Sequence, residues 1–189
     1  GYKSFSNKIW NAANFLNLNK CDFIEDLKFN HIKLDTSKWI ICDLVNTSNQ
    51  IEIYMKKYLF HEVANVIYHF VWHTFCDWYI EFIKSDFEDS EKADETKKVS
   101  GWVFGEILKM IHPIMPFLSE NLWKKLFNKN QFLMSQKFSS FDSIEKFKLS
   151  KNNIDTLTNI ITSVRNIRSD LNIPYKNEIN LFIEAKDIS

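Results

Sequence analysis

Residues 61–84 read HEVANVIYHFVWHTFCDWYIEFIK, and this stretch decides the fold. Val63, Ile67, Phe70, Val71, Phe75, Trp78 and Phe82 carry apolar side chains around most of a helical circumference, with no glycine or proline to interrupt them. A helix that is apolar on nearly every side needs neighbours on nearly every side, so it is expected in the middle of a bundle.

Its flanks supply those neighbours. Upstream, residues 2–18 place Tyr2, Phe5, Ile9, Ala12, Ala13 and Leu16 at helical spacing. A second helix is expected from about Ser37, capped by Asp35 or Thr36, with a stripe through Ile40, Leu44, Thr47, Ile51, Tyr54 and Tyr58. Downstream, the charged residues 85–95 read as a solvated loop, followed by a helix over 96–111 that stops at His112-Pro113. Pro116 suits the first turn of a short helix through Leu118, Leu122 and Leu126. Residues 128–150, rich in lysine with scattered Phe, read as an irregular excursion.

A last helix is expected over 151–171, ended by Ile173-Pro174, and the alternation in 178–184 predicts a lone strand. The expected fold class is thus all-α, a helical bundle with a short C-terminal strand from a truncated subdomain. The helical domain would occupy 1–172, and 173–189 would begin a further subdomain or tail. Amphipathic periodicity sets in with the first residues, which reads as an internal start within a longer protein.

With 189 residues, 45% of them hydrophobic, the chain can bury a core without disulfide or metal support. No run of eighteen apolar residues occurs and no signal peptide opens the chain, so a soluble protein without a membrane partner is expected. Cys21, Cys42 and Cys76 make no CxxC pair, which fits free thiols in a reducing, cytoplasmic compartment. The formal net charge is zero, with 24 basic residues against 24 acidic. Any nucleic-acid contact must then rest on local charge, because the basic excess of a general binder is missing.

The three glycines, Gly1, Gly101 and Gly105, build neither a phosphate-cradling loop nor a dinucleotide fingerprint. No serine sits in a GxSxG turn. His69, His73 and Cys76 are the best metal candidates, but HExxH is absent and a fourth ligand with the same aim is missing. They read as the edge of a bundle helix. No catalytic residue and no metal site is expected.

The first helix is more informative. At about 100° per residue, Lys3, Asn7, Asn11 and Asn14 stack on the side away from the apolar stripe. Lys8 and Phe15 flank that row on one side, and Trp10 on the other. Amides carry donors and acceptors suited to base edges, while a ring and a lysine beside them can stack on unpaired bases and neutralise phosphate. The plain alternative is a solvated asparagine-rich face with no partner. Trp10 also fits a groove-filling role. Only two of the basic residues are arginines, Arg165 and Arg168, three apart on the last helix. Their planar forks suit either an RNA phosphate or a carboxylate within the bundle.

Several blocks together resemble one family. GYKSFSNKIWNAANF at 1–15, the segment from Asp35 to Ile40, FVW at 70–72 with FCDWYIE at 75–81, LKMIHPIMPFLSENLW at 108–123 and VRNIRSDLNIP at 164–174 follow in order over nearly the whole chain. They resemble the anticodon-binding domain of valine–tRNA ligases, and NKIWNAA with FCDWYIE favours these over the isoleucine and leucine enzymes.

The resemblance implies a helical domain that docks the anticodon arm of tRNA(Val), holding it for a catalytic domain of the same polypeptide. The parent class I enzyme would use ATP and magnesium. HIGH-like and KMSKS-like motifs are absent, so the fragment itself is expected to be non-catalytic and to need no cofactor of its own. The implied RNA-contact residues are Lys3, Asn7, Lys8, Asn11, Asn14, Phe15, Arg165 and Arg168. Asn14 stands where the family usually has arginine, so a positive contact to RNA is either lost or supplied by Lys8. Phe138-Ser139 replaces the family's Trp-Pro. An isoleucine or leucine enzyme is the second assignment, and a helical protein–protein adaptor using the amide face is the third.

Overall fold

A computed structural model describes residues 2–25, 27–127, 131–139, 147–174 and 176–182. The chain folds into two compact units, Gly1–Ile154 and Asp155–Ser189. The first is a helical bundle built from α1 (Tyr2–Leu18), α2 (Asp35–Lys56), α3 (Phe60–His69), a π-helical segment (Phe70–Tyr79), α4 (Ile80–Ile83), α5 (Ala93–Ile111) and α6 (Pro116–Phe127). The last helix, α7 (Lys148–Asp170), begins in the first unit and continues through the second.

The predicted central helix is continuous from α3 through α4, but its middle ten residues are π-helical. The burial pattern explains this. Phe70, Phe75 and Ile80 are buried at five-residue steps, as are Val71 and Cys76. Five residues advance an α-helix well past one turn, whereas the i→i+5 bonding of a π-helix brings such positions onto one side. The segment packs against α1 and α2 and closes on α5 through the buried hydrogen bond between the Tyr79 hydroxyl and Ser100 Oγ, 3.0 Å.

Helix α5 is buried along nearly its whole length. Gly101 and Gly105, one turn apart, leave the gap in which residues 22 and 23 lie. A Cβ on Gly101 would stand 2.1 Å from the Asp22 carbonyl oxygen, and one on Gly105 would stand 2.2 Å from the Phe23 ring. The Phe23 ring then meets Trp123 of α6 at 4.8 Å, edge-on. Also on α5, Glu106 and Lys109 form a buried ion pair (2.7 Å), and Ser139 donates to the Glu106 carboxylate at 2.8 Å.

Helix ends depart from the expected local signals. Helix α2 starts at Asp35, and neither Asp35 nor Thr36 caps it. The Glu95 carboxylate of α5 instead accepts from the backbone N–H groups of Lys33 and Leu34, each at 2.9 Å. A neighbouring helix thus fixes the two residues that lead into α2. Asp35 accepts from Ser150 Oγ at 2.8 Å.

Helices α1, α2 and α7 close on residues of positive φ that are not glycine: Lys20 (57°), Tyr58 (57°) and Asn172 (52°). In each case the following N–H reaches back five residues, as in Cys21 N–H to Leu16 O, Leu59 N–H to Tyr54 O and Ile173 N–H to Arg168 O. These are Schellman endings. Tyr58, expected on the apolar stripe, is the exposed closing residue of α2 instead.

Asp86, expected in a solvated loop, is buried within a 3-10 turn, Ser85–Phe87. Leu133 in the 3-10 turn Leu133–Ser135 and Phe147 are buried too, so the described parts of the lysine-rich excursion are anchored in the core. Residues 128–130 and 140–146 of that excursion lie outside the described residues.

The predicted strand is corrected. Residues 178–182 form no strand, and the described residues contain none anywhere. A lone alternating segment has no neighbour to take its N–H and C=O groups. Its Leu181 and Phe182 side chains are exposed. Ile183 and Glu184 lie outside the described residues.

Candidate nucleic-acid interface

The apolar stripe of α1 seats Phe5, Ile9, Ala12, Ala13 and Leu16 in the core, and this fixes which side faces out. Lys3, Asn7 and Asn11 are exposed, with Asn14 half-buried at the inner end of the row. The amide row read from the sequence therefore exists as a surface ridge. Helix α1 also contains no carboxylate in its 17 residues.

The two flanks of the ridge differ. On the side of the π-helical segment, Lys8 Nζ forms an ion pair with Asp77 Oδ1 and lies 5.0 Å from the centre of the Trp72 ring. The other oxygen of Asp77 meets His73 Nδ1 at 3.2 Å. The Lys8 charge, expected to face RNA, is balanced inside the fold. Phe15 is half-buried, packed on the core and edge-on to Phe87 at 5.7 Å. Its ring forms the border of the ridge and is not a free platform.

On the opposite flank Trp10 is 36% exposed. Lys125 of α6 reaches across so that its Nζ lies 4.4 Å from the Trp10 ring centre and donates to Asn14 Oδ1 at 3.3 Å. The cation beside Asn14 is therefore Lys125, not Lys8. No local pattern could reveal this, because the two residues are 111 positions apart in the chain. The neighbouring Lys124 lies 4.5 Å over the Phe132 ring.

Arg165 and Arg168 belong to the second unit. Arg168 Nη2 donates to the backbone carbonyls of Pro174 and Asn177, both at 2.7 Å. Its guanidinium thereby pins the turn that follows α7. Arg165 is exposed.

The His69 and His73 rings lie side by side, tilted by 30° with centres 5.5 Å apart. Cys76 is buried, and burial pushes its thiol up to about 12, as it does for Cys21. Among the described residues no three His, Cys, Asp or Glu side chains are grouped to hold a metal ion. None of the described helices is long and apolar enough to cross a membrane.

The chain is similar to known proteins over nearly its whole length. Residues 37–183 match the family model described as the anticodon-binding domain of tRNA ligase. The chain is 38% identical over 190 residues to the valine–tRNA ligase of Pelagibacter ubique, covering 98% of this chain and 22% of that protein. It is 36% identical over 179 residues to the valine–tRNA ligase of Zymomonas mobilis, covering 92% of this chain and 20% of the relative. With the valine–tRNA ligase of Staphylococcus epidermidis the identity is 35% over 188 residues, covering 97% and 22%. The chain thus spans about a fifth of the length of the curated relatives it matches. With residues 37–183 of its helical bundle matched by this family model, the chain belongs to the anticodon-binding domain family of tRNA ligases.

Proposed function

We propose that this chain is the anticodon-docking part of a valine–tRNA ligase, and that it holds the anticodon arm of tRNA(Val) against the α1 ridge. One observation carries the reading: Lys3, Asn7 and Asn11 form an exposed, carboxylate-free row on a helix whose other side is locked in the core. Amides on a rigid helix can pair with base edges, and unpaired loop bases are where RNA sequence is read.

Asn14 closes the row, while Lys8 and Phe15, held by Asp77 and Phe87, shape its border. We assign Arg165, exposed on the second unit, to RNA backbone contact, and Arg168 to holding the turn beyond α7. Residues 1–172 serve as the helical domain, and 173–189 begin a further subdomain or tail.

Aminoacylation with ATP and magnesium would take place on a catalytic domain of the same, longer polypeptide, in the cytoplasm. This chain's part is to bind and orient the tRNA. That these relatives are valine–tRNA ligases supports valine over isoleucine or leucine.

The test is a titration of the 189-residue chain with a tRNA(Val) transcript and with the same transcript carrying changed anticodon bases. Binding should weaken as salt rises, since phosphate contacts release counterions. It should also weaken when the anticodon is altered or when Asn11→Ala removes an amide. Equal affinity for both transcripts would refute base reading by this ridge. Loss of a protein partner in Asn11→Glu, with RNA affinity intact, would point to the adaptor reading.

A further inference from the structure

The α1–α6 seam holds a local charge imbalance that the neutral chain hides. Helices α1 and α6 together carry Lys3, Lys8, Lys124 and Lys125 against a single carboxylate, Glu120. That carboxylate faces elsewhere, accepting from the Leu133 N–H at 3.0 Å. Lys8 is balanced by Asp77. Apart from Lys3 at the start of the ridge itself, the remaining positive charge is on α6, where Lys125 is held by Trp10 at 4.4 Å and by Asn14 at 3.3 Å.

Neither hold neutralises the ammonium. A ring face and an amide oxygen are neutral partners, in contrast to the carboxylate that engages Lys8. They restrict the lysine to one place and leave its charge in force. A cation held beside a row of amides suits RNA, in which each base is joined through its sugar to a phosphodiester backbone.

We propose that Lys125 is the phosphate-binding cation of this surface, with Trp10 and Asn14 as the residues that position it, and that its partner is the backbone of an unpaired RNA segment whose bases meet the α1 ridge. The inference rests on the RNA-docking reading above. It differs in assigning the charge to α6, outside the helix that reads bases.

The experiment measures tRNA(Val) affinity as a function of salt for the 189-residue chain and its variants. Lys125→Gln should lower the slope of log K against log salt by about 0.7, the value for one single-strand phosphate contact. The loss should be equal on normal and anticodon-altered transcripts, because a phosphate carries no sequence. Lys125→Arg should keep the slope, and Asn14→Arg placed in the Lys125→Gln chain should restore it. Trp10→Leu should weaken binding while lowering the slope less than Lys125→Gln does.

Thermal melts of each variant identify any change that comes from unfolding; Asn14→Arg, made at a half-buried site, is read only if its melt matches that of Lys125→Gln. An unchanged slope in folded Lys125→Gln, with the unaltered chain still binding tRNA, overturns this proposal and leaves the docking function standing. Failure of the unaltered chain to bind any tRNA overturns both. If polyglutamate binds and needs Lys125 while tRNA does not, the seam belongs to an acidic protein partner and the RNA assignment falls.

Discussion

Asp86 shows how one side chain can be placed against its own chemistry. It is buried in the turn after α4, and burial holds its carboxyl above the usual carboxylate range, while Lys92, 3.8 Å away, pulls it back down. The folded chain therefore holds this proton more tightly than the unfolded chain. Its contribution to stability is full below the ordinary Asp value and declines as pH rises through the raised one. Asp86→Asn should thus melt at a higher temperature than the unaltered chain at pH 7, and the gap should narrow toward pH 4. A gap of constant size across that range would show that ionisation is not its cause. Lys8 and Asn14 teach the complementary lesson. Their positions on the outer side of α1 could be read from spacing, but their partners, Asp77 and Lys125, could not. A helical wheel gives direction, and it is silent about what stands opposite.

The helices carry the same division. Their number and rough bounds follow from apolar spacing because each stripe must meet a core. Their ends were less legible. Glycine usually supplies the left-handed closing residue, and this chain uses Lys20, Tyr58 and Asn172 instead. An L-residue with a Cβ is strained there, so Lys20→Gly, at an exposed site, should raise stability by about 1 kcal/mol, less the greater freedom of glycine in the unfolded chain. Denaturant unfolding measures this, and a fall in the midpoint would contradict it. The π-helical segment had a signal that ordinary helical periodicity passes over. Phe70, Phe75 and Ile80 fall on one buried side only when the helix is widened, and the five-residue step is visible once burial is known. The start of α2 had no such signal, since the residues leading into it are held by Glu95, about sixty residues away.

At the scale of the molecule, the anticodon-binding domain is tied together by a few long-range polar links. The buried Glu106–Lys109 pair with Ser139 fastens the stretch after α6 to the middle of α5. Glu106→Leu would strand a buried ammonium and should cost about 3–5 kcal/mol, whereas pairing it with Lys109→Met should return most of that loss. Chemical denaturation of both variants decides the point, and equal losses would show that the pair acts through shape alone. By itself the sequence determined an all-helical bundle, the side of α1 that faces out, and kinship with tRNA-ligase anticodon domains. Each of these depends on periodic or contiguous residues, and burial of apolar surface enforces them locally. Tertiary structure alone decided that 178–182 is no strand, that Glu95 holds the residues leading into α2, and that the charge beside Asn14 comes from Lys125 while Lys8 pairs with Asp77. These outcomes depend on which distant side chain arrives within a few ångströms, and hydrogen bonds and ion pairs form only at such range.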